Sequence, residues 1–144
     1  KNLQLVDVNY DVKQGGVSSG IAAGNFGTIT ACSVTGTITS ARGNSSGIAT
    51  GSDGTITACW FNGTITGPNC GNIASINIGT ITACYYGQNG ESGVRFNYGT
   101  ADTEQIFSGA SWQPAVDGMN PALTGNDYQW ALGTDGLPVL LKKQ

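Results

Sequence analysis

The hexapeptide Gly-Thr-Ile-Thr-Ala-Cys occurs three times in this 144-residue chain, at Gly27–Cys32, Gly54–Cys59 and Gly79–Cys84. The interval from one copy to the next is nearly constant. Self-similarity with a period of roughly 20 to 50 residues is typical of solenoids and propellers, and the interval lies within that range. The repeat therefore predicts a stack of similar units, in which function is read from equivalent positions.

The repeating unit is longer than the hexapeptide. Ser-Gly-Ile-Ala at residues 19–22 returns at 46–49 and, as Gly-Asn-Ile-Ala, at 71–74. These markers divide residues 1–97 into a partial coil, 1–18, and three repeats, 19–45, 46–70 and 71–97. Shifting the partial coil by one repeat predicts its pairing with the first repeat: Leu3 with Ile29, Leu5 with Ala31, Val6 with Cys32 and Val12 with Ile38.

Composition indicates which stacked fold this is. Threonine and isoleucine suit a pleated, half-buried surface, and Gly, Asn and Ser close each short run with residues that tolerate tight corners. A single coil cannot bury its apolar side chains, so it must stack on neighbours about 4.8 Å away. We predict an all-β chain: a parallel β-solenoid of about three to four coils with a small C-terminal cap that contains short helices.

The alternation of Thr-Ile-Thr-Ala predicts which side chains enter the core. Residues two apart on a strand share a face, so the isoleucines Ile29, Ile56 and Ile81 should point inward and the threonines outward. The same rule sends the alanines Ala31, Ala58 and Ala83 inward. The cysteines Cys32, Cys59 and Cys84 then need a corner in front of them to be buried, which we expect because free thiols are commonly buried.

Neither disulfide bonds nor metal sites are expected. Equivalent cysteines on neighbouring coils have parallel Cβ directions, which is poor geometry for a disulfide, and Cys70 lies outside the column. The chain has no histidine and no Cys-x-x-Cys pair, and a stack of thiols offers no tetrahedral arrangement. No cofactor is predicted.

The first repeat resembles a known family. Gly20-Ile21-Ala22-Ala23, followed by Asn25-Phe26-Gly27-Thr28-Ile29 and Cys32, is similar to the GLUG motif, Gly-Leu-x-Gly followed by Gly-Thr-Ile and Cys. Isoleucine replaces the motif's leucine, and Ala23, Thr50 and Ser75 replace its second glycine. GLUG repeats occur in bacterial surface adhesins and in immunoglobulin A-cleaving metallopeptidases. The resemblance, of a Bacteroidetes type, implies a cell-surface or extracellular location.

The composition changes after residue 97, which predicts a cap over 98–144. Asp102 with Gln105 is one helix-start signal, and Ser111 before Trp112 and Pro114 is another. We expect the cap to cover the open end of the stack and its unpaired strand edge. The side chains expected to supply that cover are Trp112, Met119, Leu123, Tyr128, Trp130, Leu132, Val139 and Leu140.

The opposite end begins with an incomplete coil. We expect the chain either to be the C-terminal part of a longer protein or to associate end to end through its N-terminal edge. Export would require a signal segment outside this sequence.

Charge and side-chain chemistry exclude several functions. Nine Asp and Glu against six Lys and Arg give a net charge of −3, which disfavours nucleic acid, and no basic amphipathic helix suggests membrane insertion. Asp53 and Glu91 do not occupy equivalent positions in the repeats, so a pair of catalytic carboxylates is not expected. We predict that the chain is not an enzyme.

Two features are candidate binding sites. Trp60 and Tyr85 follow their cysteines and would stack as an outward platform for sugars, unless the cap folds over them. We favour the cap, because it needs an apolar surface to pack on. The second feature is the outward array Thr28/Thr30, Thr55/Thr57 and Thr80/Thr82.

These features predict a non-catalytic surface module that mediates adhesion through a surface glycan or protein ligand. One alternative is ice binding, since similar threonine ranks are found in β-solenoid ice-binding proteins. Another is a spacer domain of a carbohydrate-active enzyme or peptidase.

Overall fold

The computed structural model describes all 144 residues and has the predicted fold, a parallel β-solenoid of about three turns with a small C-terminal cap. Strand β1 (Leu3–Val12) precedes the first turn, which contains β2 (Ser18–Ser19), β3 (Ala22–Asn25), β4 (Thr28–Thr30) and β5 (Cys32–Ser40). The second turn contains β6 (Asn44–Ser46), β7 (Ala49–Ser52), β8 (Thr55–Thr57) and β9 (Trp60–Thr66). The third contains β10 (Asn69–Gly71), β11 (Ala74–Asn77) and β12 (Thr80–Gly87), and β13 (Val94–Asn97) and β14 (Thr100–Ile106) follow it.

Successive turns stack in the predicted register. Ile29 pairs with Ile56 and Ile56 with Ile81, so the spacing of the hexapeptides along the sequence is also the spacing of the turns in the structure. The walls are a seven-stranded, a four-stranded and a three-stranded parallel sheet, and the core lies between them. The isoleucine column is buried there, as expected, with Ile56 and Ile81 fully inaccessible.

The glycines that open the second and third hexapeptides are needed for this stacking. A Cβ atom on Gly54 would lie 2.1 Å from the carbonyl oxygen of Gly27, and one on Gly79 would lie 2.0 Å from that of Gly54. Gly99, which precedes β14, has the same relation to Gly79 at 2.1 Å. Neighbouring backbones approach too closely at this corner for any side chain.

The predicted pairing of the first coil is wrong. Leu3 pairs with Cys32 and Leu5 with Val34, so each partner lies further along the chain than predicted. The register shifts again beyond a bulge, where Val8 pairs with Gly36. Asp7 lies in this bulge with a φ of 54°. The bulge resets the inward–outward alternation, and no constant shift of the sequence reproduces it.

The solenoid also extends past the predicted boundary at residue 97. Strand β14 pairs in parallel with β12, with Thr100 opposite Thr80 and Ile106 opposite Gly87. Residues 102–105 are therefore strand, and the helix start predicted from Asp102 and Gln105 is wrong. Fewer residues separate Thr100 from Thr80 than separate Thr80 from Thr55, so this partial turn is shorter than the repeats. The spacing of the hexapeptides therefore does not predict that Thr100 is equivalent to Thr80.

The cap lies along the side of the stack rather than over its end, which corrects the predicted position. It contains helix α1 (Gln113–Met119), a 3-10 turn (Asn120–Leu123) and a hairpin of β15 (Tyr128–Leu132) and β16 (Pro138–Lys142). The second helix-start signal is correct to within two residues, because the Ser111 hydroxyl accepts a hydrogen bond from the Gln113 N–H at 3.1 Å.

Hydrogen bonds tie the cap back to the start of the chain. The Asn126 side-chain amide donates to Asn2 Oδ1 at 3.1 Å, and the Leu140 N–H donates to Gln4 Oε1 at 3.1 Å. The cap thus runs from the last strand of the solenoid, β14, back to its first strand, β1. No helix in the fold is long and apolar enough to cross a membrane.

Candidate functional site

The threonines of the repeat form two straight ranks on one wall. The first rank contains Thr28, Thr55, Thr80 and Thr100, and the second contains Thr30, Thr57 and Thr82. All seven side chains are exposed or half-buried, whereas the isoleucines between the ranks are buried. We call this surface the threonine face. The structure brings together the six predicted threonines and adds Thr100.

Buried amides hold the threonine strands from inside the corner. The Asn25 side chain donates to the Thr55 carbonyl at 3.1 Å, and the Asn77 side chain donates to the Thr100 carbonyl at 3.0 Å. Asn77 also donates to Asn97 Oδ1 at 2.9 Å, which links successive turns. Because these donors satisfy strand carbonyls in the core, the corner is fixed and the face it bounds is ordered.

A column of exposed side chains borders the first threonine rank. Its members occupy the corner position two residues before each threonine of that rank: Phe26, Asp53, Ile78 and Tyr98. Phe26 is 83% exposed, Tyr98 74% and Ile78 58%. We call these four residues the corner column. Three large apolar side chains that solvent reaches in one line are more informative than a single exposed one.

The second threonine rank ends in a carboxylate. The register of β12 and β14 shifts after Ile81, and Asp102 Oδ2 accepts a hydrogen bond from the Ala83 N–H at 2.9 Å. The edge of the threonine face at β14 is therefore acidic, while the three hexapeptide strands carry hydroxyl groups.

The alanines of the hexapeptide do not point into the core, contrary to prediction. Ala31, Ala58 and Ala83 have φ angles of 53°, 52° and 50°, in the left-handed region. One left-handed residue reverses the alternation, so Ala31 and Ala58 pack on the cap side, and the cysteine that follows each alanine turns inward. This is the corner that the cysteines required, and it consists of a single residue.

Trp60 and Tyr85 do not form an exposed platform. They lie on adjacent strands in register, but the cap covers both, leaving Trp60 2% and Tyr85 8% exposed. The Trp60 ring lies 5.2 Å from that of Trp112 and 6.1 Å from that of Trp130, centroid to centroid. The Trp130 indole donates to the Ala58 carbonyl at 2.9 Å. Both residues therefore pack against the cap, which is the alternative favoured from the sequence, and neither forms an exposed platform for sugars.

The cysteines are buried, as expected, and all four are free thiols. Cys59 and Cys84 donate to the carbonyl oxygens of Thr57 and Thr82, at 3.3 and 3.4 Å. Burial raises the pKa of Cys59 well above its usual value. Burial, followed by the nearby Glu91 carboxylate, raises the pKa of Cys70 to about 11. The Cys59 and Cys70 thiols therefore stay protonated at neutral pH and act as core side chains.

No family model, no curated protein and no solved structure matches this chain. Its function is therefore inferred from the arrangement of its own side chains. The sequence identifies the threonine ranks through the hexapeptide. It does not single out the corner column. The only feature that its four members share in the sequence is that each is followed by Gly-Thr.

Proposed function

We propose that this protein is a non-catalytic binding module of the cell surface, which mediates adhesion by holding an extended glycan against the threonine face and the corner column. One observation supports this above all: two in-register ranks of hydroxyl groups lie beside a line of exposed apolar side chains. Hydroxyls exchange hydrogen bonds with sugar hydroxyls, and apolar rings pack on the C–H faces of sugar rings.

The shape of this surface favours an extended ligand. Equivalent groups recur about every 4.8 Å across the turns and about every 6.7 Å along a strand. A chain of similar sugar units would make the same contact several times, each of them modest. The resemblance to GLUG repeats supports a surface location, and the same face is open to a protein ligand.

A role without catalysis agrees with the positions of Asp53 and Glu91, the two carboxylates of the repeats. Asp53 lies in the corner column, and Glu91 lies in the connection between β12 and β13. The side chains with shifted pKa values are Cys32, Cys59 and Cys70, which belong to the core, and Tyr85, which belongs to the cap contact. None of these groups lies on the threonine face.

A printed array of neutral and acidic oligosaccharides tests the proposal. We expect the whole chain to bind extended neutral glycans, and the double variant Thr55→Val/Thr80→Val to lose most of this binding. A matched control lies on another part of the solenoid, where the tripeptide Thr-Ile-Thr occurs at 37–39 and again at 64–66. Thr37 and Thr64 are exposed and in register there, so Thr37→Val/Thr64→Val should bind like the parent chain.

Ice is the second candidate ligand, because the first rank extends to four threonines in register. Thermal hysteresis that is abolished by Thr55→Val/Thr80→Val would favour it. Tyr98→Ala separates the two candidates: glycan binding should weaken when the exposed ring is removed. Binding to no oligosaccharide, or equal binding by both double variants, would contradict the glycan proposal.

A further inference from the structure

The first turn of the solenoid has an open edge. Strand β3 pairs only with β7, and β4 pairs only with β8, so both lack a neighbour on the side away from the second turn. Strand β1 pairs with β5 and leaves β3 and β4 uncovered. An unpaired strand edge presents a row of N–H and C=O groups that can pair with a further strand. We call the free side of β3 and β4 the first-turn edge.

The glycine of the first hexapeptide lies at this edge with open space above it. In the later turns a Cβ atom on Gly54, Gly79 or Gly99 would lie 2.1, 2.0 or 2.1 Å from a carbonyl oxygen of the preceding turn. A Cβ atom on Gly27 would meet nothing within 4 Å, and the φ of Gly27 is not in the left-handed region. No contact within this chain therefore requires glycine at Gly27. A further strand stacked on the first-turn edge would require it.

Backbone hydrogen bonds show which groups at this edge are unused. The Thr55 N–H donates to the Gly27 carbonyl at 2.8 Å, and the Thr55 carbonyl accepts from the Asn25 side chain at 3.1 Å. Equivalent bonds join the last turns of the stack, so the first threonine of a hexapeptide bonds to the turn before it. For Thr28 no strand lies on that side. Its N–H and its carbonyl are the groups that a further strand would engage.

The start of the chain occupies only the end of this level of the stack. Asn2 has a φ of 62°, like the left-handed alanines of the hexapeptides, and its N–H donates to the Thr30 carbonyl at 3.0 Å. Leu3 then pairs with Cys32. The positions that correspond to Gly, Thr and Ile of a hexapeptide are empty. Ile29, beneath the last of them, is 8% exposed, whereas the isoleucines of the next two turns are fully inaccessible.

We propose that the first-turn edge binds one extended peptide strand from another polypeptide, parallel to β4 and with the sequence pattern Gly-Thr-Ile. Such a strand continues the stacking that already joins the turns, at the usual spacing of about 4.8 Å. Its backbone bonds to Thr28, and its apolar β-branched side chain packs on Ile29. Main-chain hydrogen bonds supply the affinity of an added strand, and alternate side chains supply the sequence preference.

The register argues against the last turn of a second copy as the partner. That turn ends in β13 and β14, where Glu104 pairs with Tyr85. The same column continues through Trp60 and Ser33 to Gln4. Stacking β13 and β14 of one copy on the first-turn edge of another would place Glu104 where Gln4 of the second copy already lies. A separate strand that ends at the isoleucine position avoids this overlap.

Two-dimensional ¹H–¹⁵N NMR of the whole chain with a synthetic peptide tests this directly. The peptide copies residues 48–56, Ile-Ala-Thr-Gly-Ser-Asp-Gly-Thr-Ile, which occupy the equivalent positions of the second turn. We expect it to shift the amide resonances of Gly27 and Thr28 in a saturable way, while that of Thr80, two turns away, stays in place. The same peptide with Ile56→Asp should not bind, because it would bring a carboxylate onto the apolar side chain of Ile29.

A glycine variant of the protein locates the binding. Gly27→Ala should have the Tm of the parent chain, because its methyl group meets nothing in the free protein. It should weaken the peptide by roughly tenfold or more, because the docked backbone would crowd that methyl group as the Gly27 carbonyl would crowd one on Gly54, at 2.1 Å. Gly51→Ala is the matched control. Its methyl group also lies in open space, on a strand that is paired on both sides, so Tm and affinity should both be unchanged.

Several results would overturn the proposal. These are the absence of a saturable shift at the first-turn edge, equal binding of the two peptides, and full affinity in Gly27→Ala. Analytical ultracentrifugation of the chain without peptide adds a further check. A dimer that Gly27→Ala dissociates would assign this edge to a second copy and contradict the proposal, whereas a monomer agrees with it.

Discussion

The threonine face and the cap-covered face are built from the same hexapeptide, yet one is open to solvent and the other is closed. On the open face, threonine side chains project from each turn with only water above them. On the closed face, Ala31, Ala58, Trp60 and Tyr85 form one buried cluster with side chains of α1 and the hairpin, and Trp60 is 2% exposed. The two faces lie on the same seven-stranded sheet, a few residues apart along each turn.

The difference comes from one backbone conformation. Up to the second threonine, side chains alternate as in any strand. The left-handed alanine then interrupts the alternation, so that the cysteine enters the core and the next residue faces the cap. In the second and third turns that next residue is aromatic, Trp60 or Tyr85, and it packs against the cap. The left-handed alanine that recurs in each turn therefore separates the solvent-exposed threonine face from the face that packs against the cap.

The largest expected effect tests the closed face. Trp60→Ala should lower the free energy of unfolding by about 3–5 kcal/mol, because it removes a buried ring that contacts Trp112 and Trp130. Urea unfolding followed by circular dichroism measures this. Phe26→Ala, on the open side, should change stability by less than about 0.5 kcal/mol, because its ring is 83% exposed. Similar losses in both variants would remove the distinction between the faces.

The next effect tests the close approach of the turns beneath the threonine face. Gly54→Ala should destabilise the protein by about 3 kcal/mol, since the new methyl group would lie 2.1 Å from the Gly27 carbonyl oxygen. Gly51→Ala is the matched control, because its nearest neighbour would be the Ala23 carbonyl oxygen at 3.9 Å. Thermal unfolding of both variants should show a large drop in Tm for Gly54→Ala alone.

A smaller effect sharpens the role of the left-handed alanine. Ala58→Gly loses a buried methyl group but relieves a left-handed backbone, so we expect a change of less than about 0.5 kcal/mol. Ala74→Gly loses a methyl group that is buried to the same degree, without any such relief, and should cost about 1 kcal/mol or more. Chemical denaturation of the pair measures the difference. An equal cost at both positions would show that the left-handed alanine carries no strain.

A further effect concerns a thiol of the core. A thiol in the unfolded chain ionises near pH 9.0, whereas the pKa of Cys70 in the fold is raised to about 11. Above pH 9 the unfolded chain releases the proton first, so stability should fall as the pH rises from about 9 to about 11. Urea unfolding at several pH values should show this decline. Cys70→Ala should make it shallower, and an unchanged slope would contradict the assignment to this thiol.

Much of the fold could be predicted because its signals are local and repeated. The spacing of the hexapeptides predicted the correct register for Ile29, Ile56 and Ile81, and the alternation of Thr-Ile-Thr predicted the correct inward and outward sides. The prediction failed where one residue departed from strand geometry. Ala31 and its equivalents are left-handed without being glycine, and nothing in an alanine side chain signals it. Asp7 in β1 is left-handed as well, although aspartate adopts this conformation more readily than most residues.

The residues of the candidate sites also divide into those that the repeat predicts and those that it does not. Six of the seven residues of the threonine face follow from the hexapeptide, while Thr100 does not, because its turn is shorter. The corner column can be recognised only in the folded stack, because Phe26, Ile78 and Tyr98 are different residue types. The cap hairpin packs beside β1 and so brings together residues from opposite ends of the sequence, which no repeat could indicate.

The sequence by itself determined that this protein is a stack of similar turns with isoleucines inside and threonines outside, because each turn repeats the same short alternation of apolar and polar residues. Only the tertiary structure decided where the cap lies and what it covers. The contacts that place it, from Asn126 to Asn2 and from Leu140 to Gln4, join residues from opposite ends of the chain. Their energy depends on the shapes of two surfaces that exist only once the stack has formed.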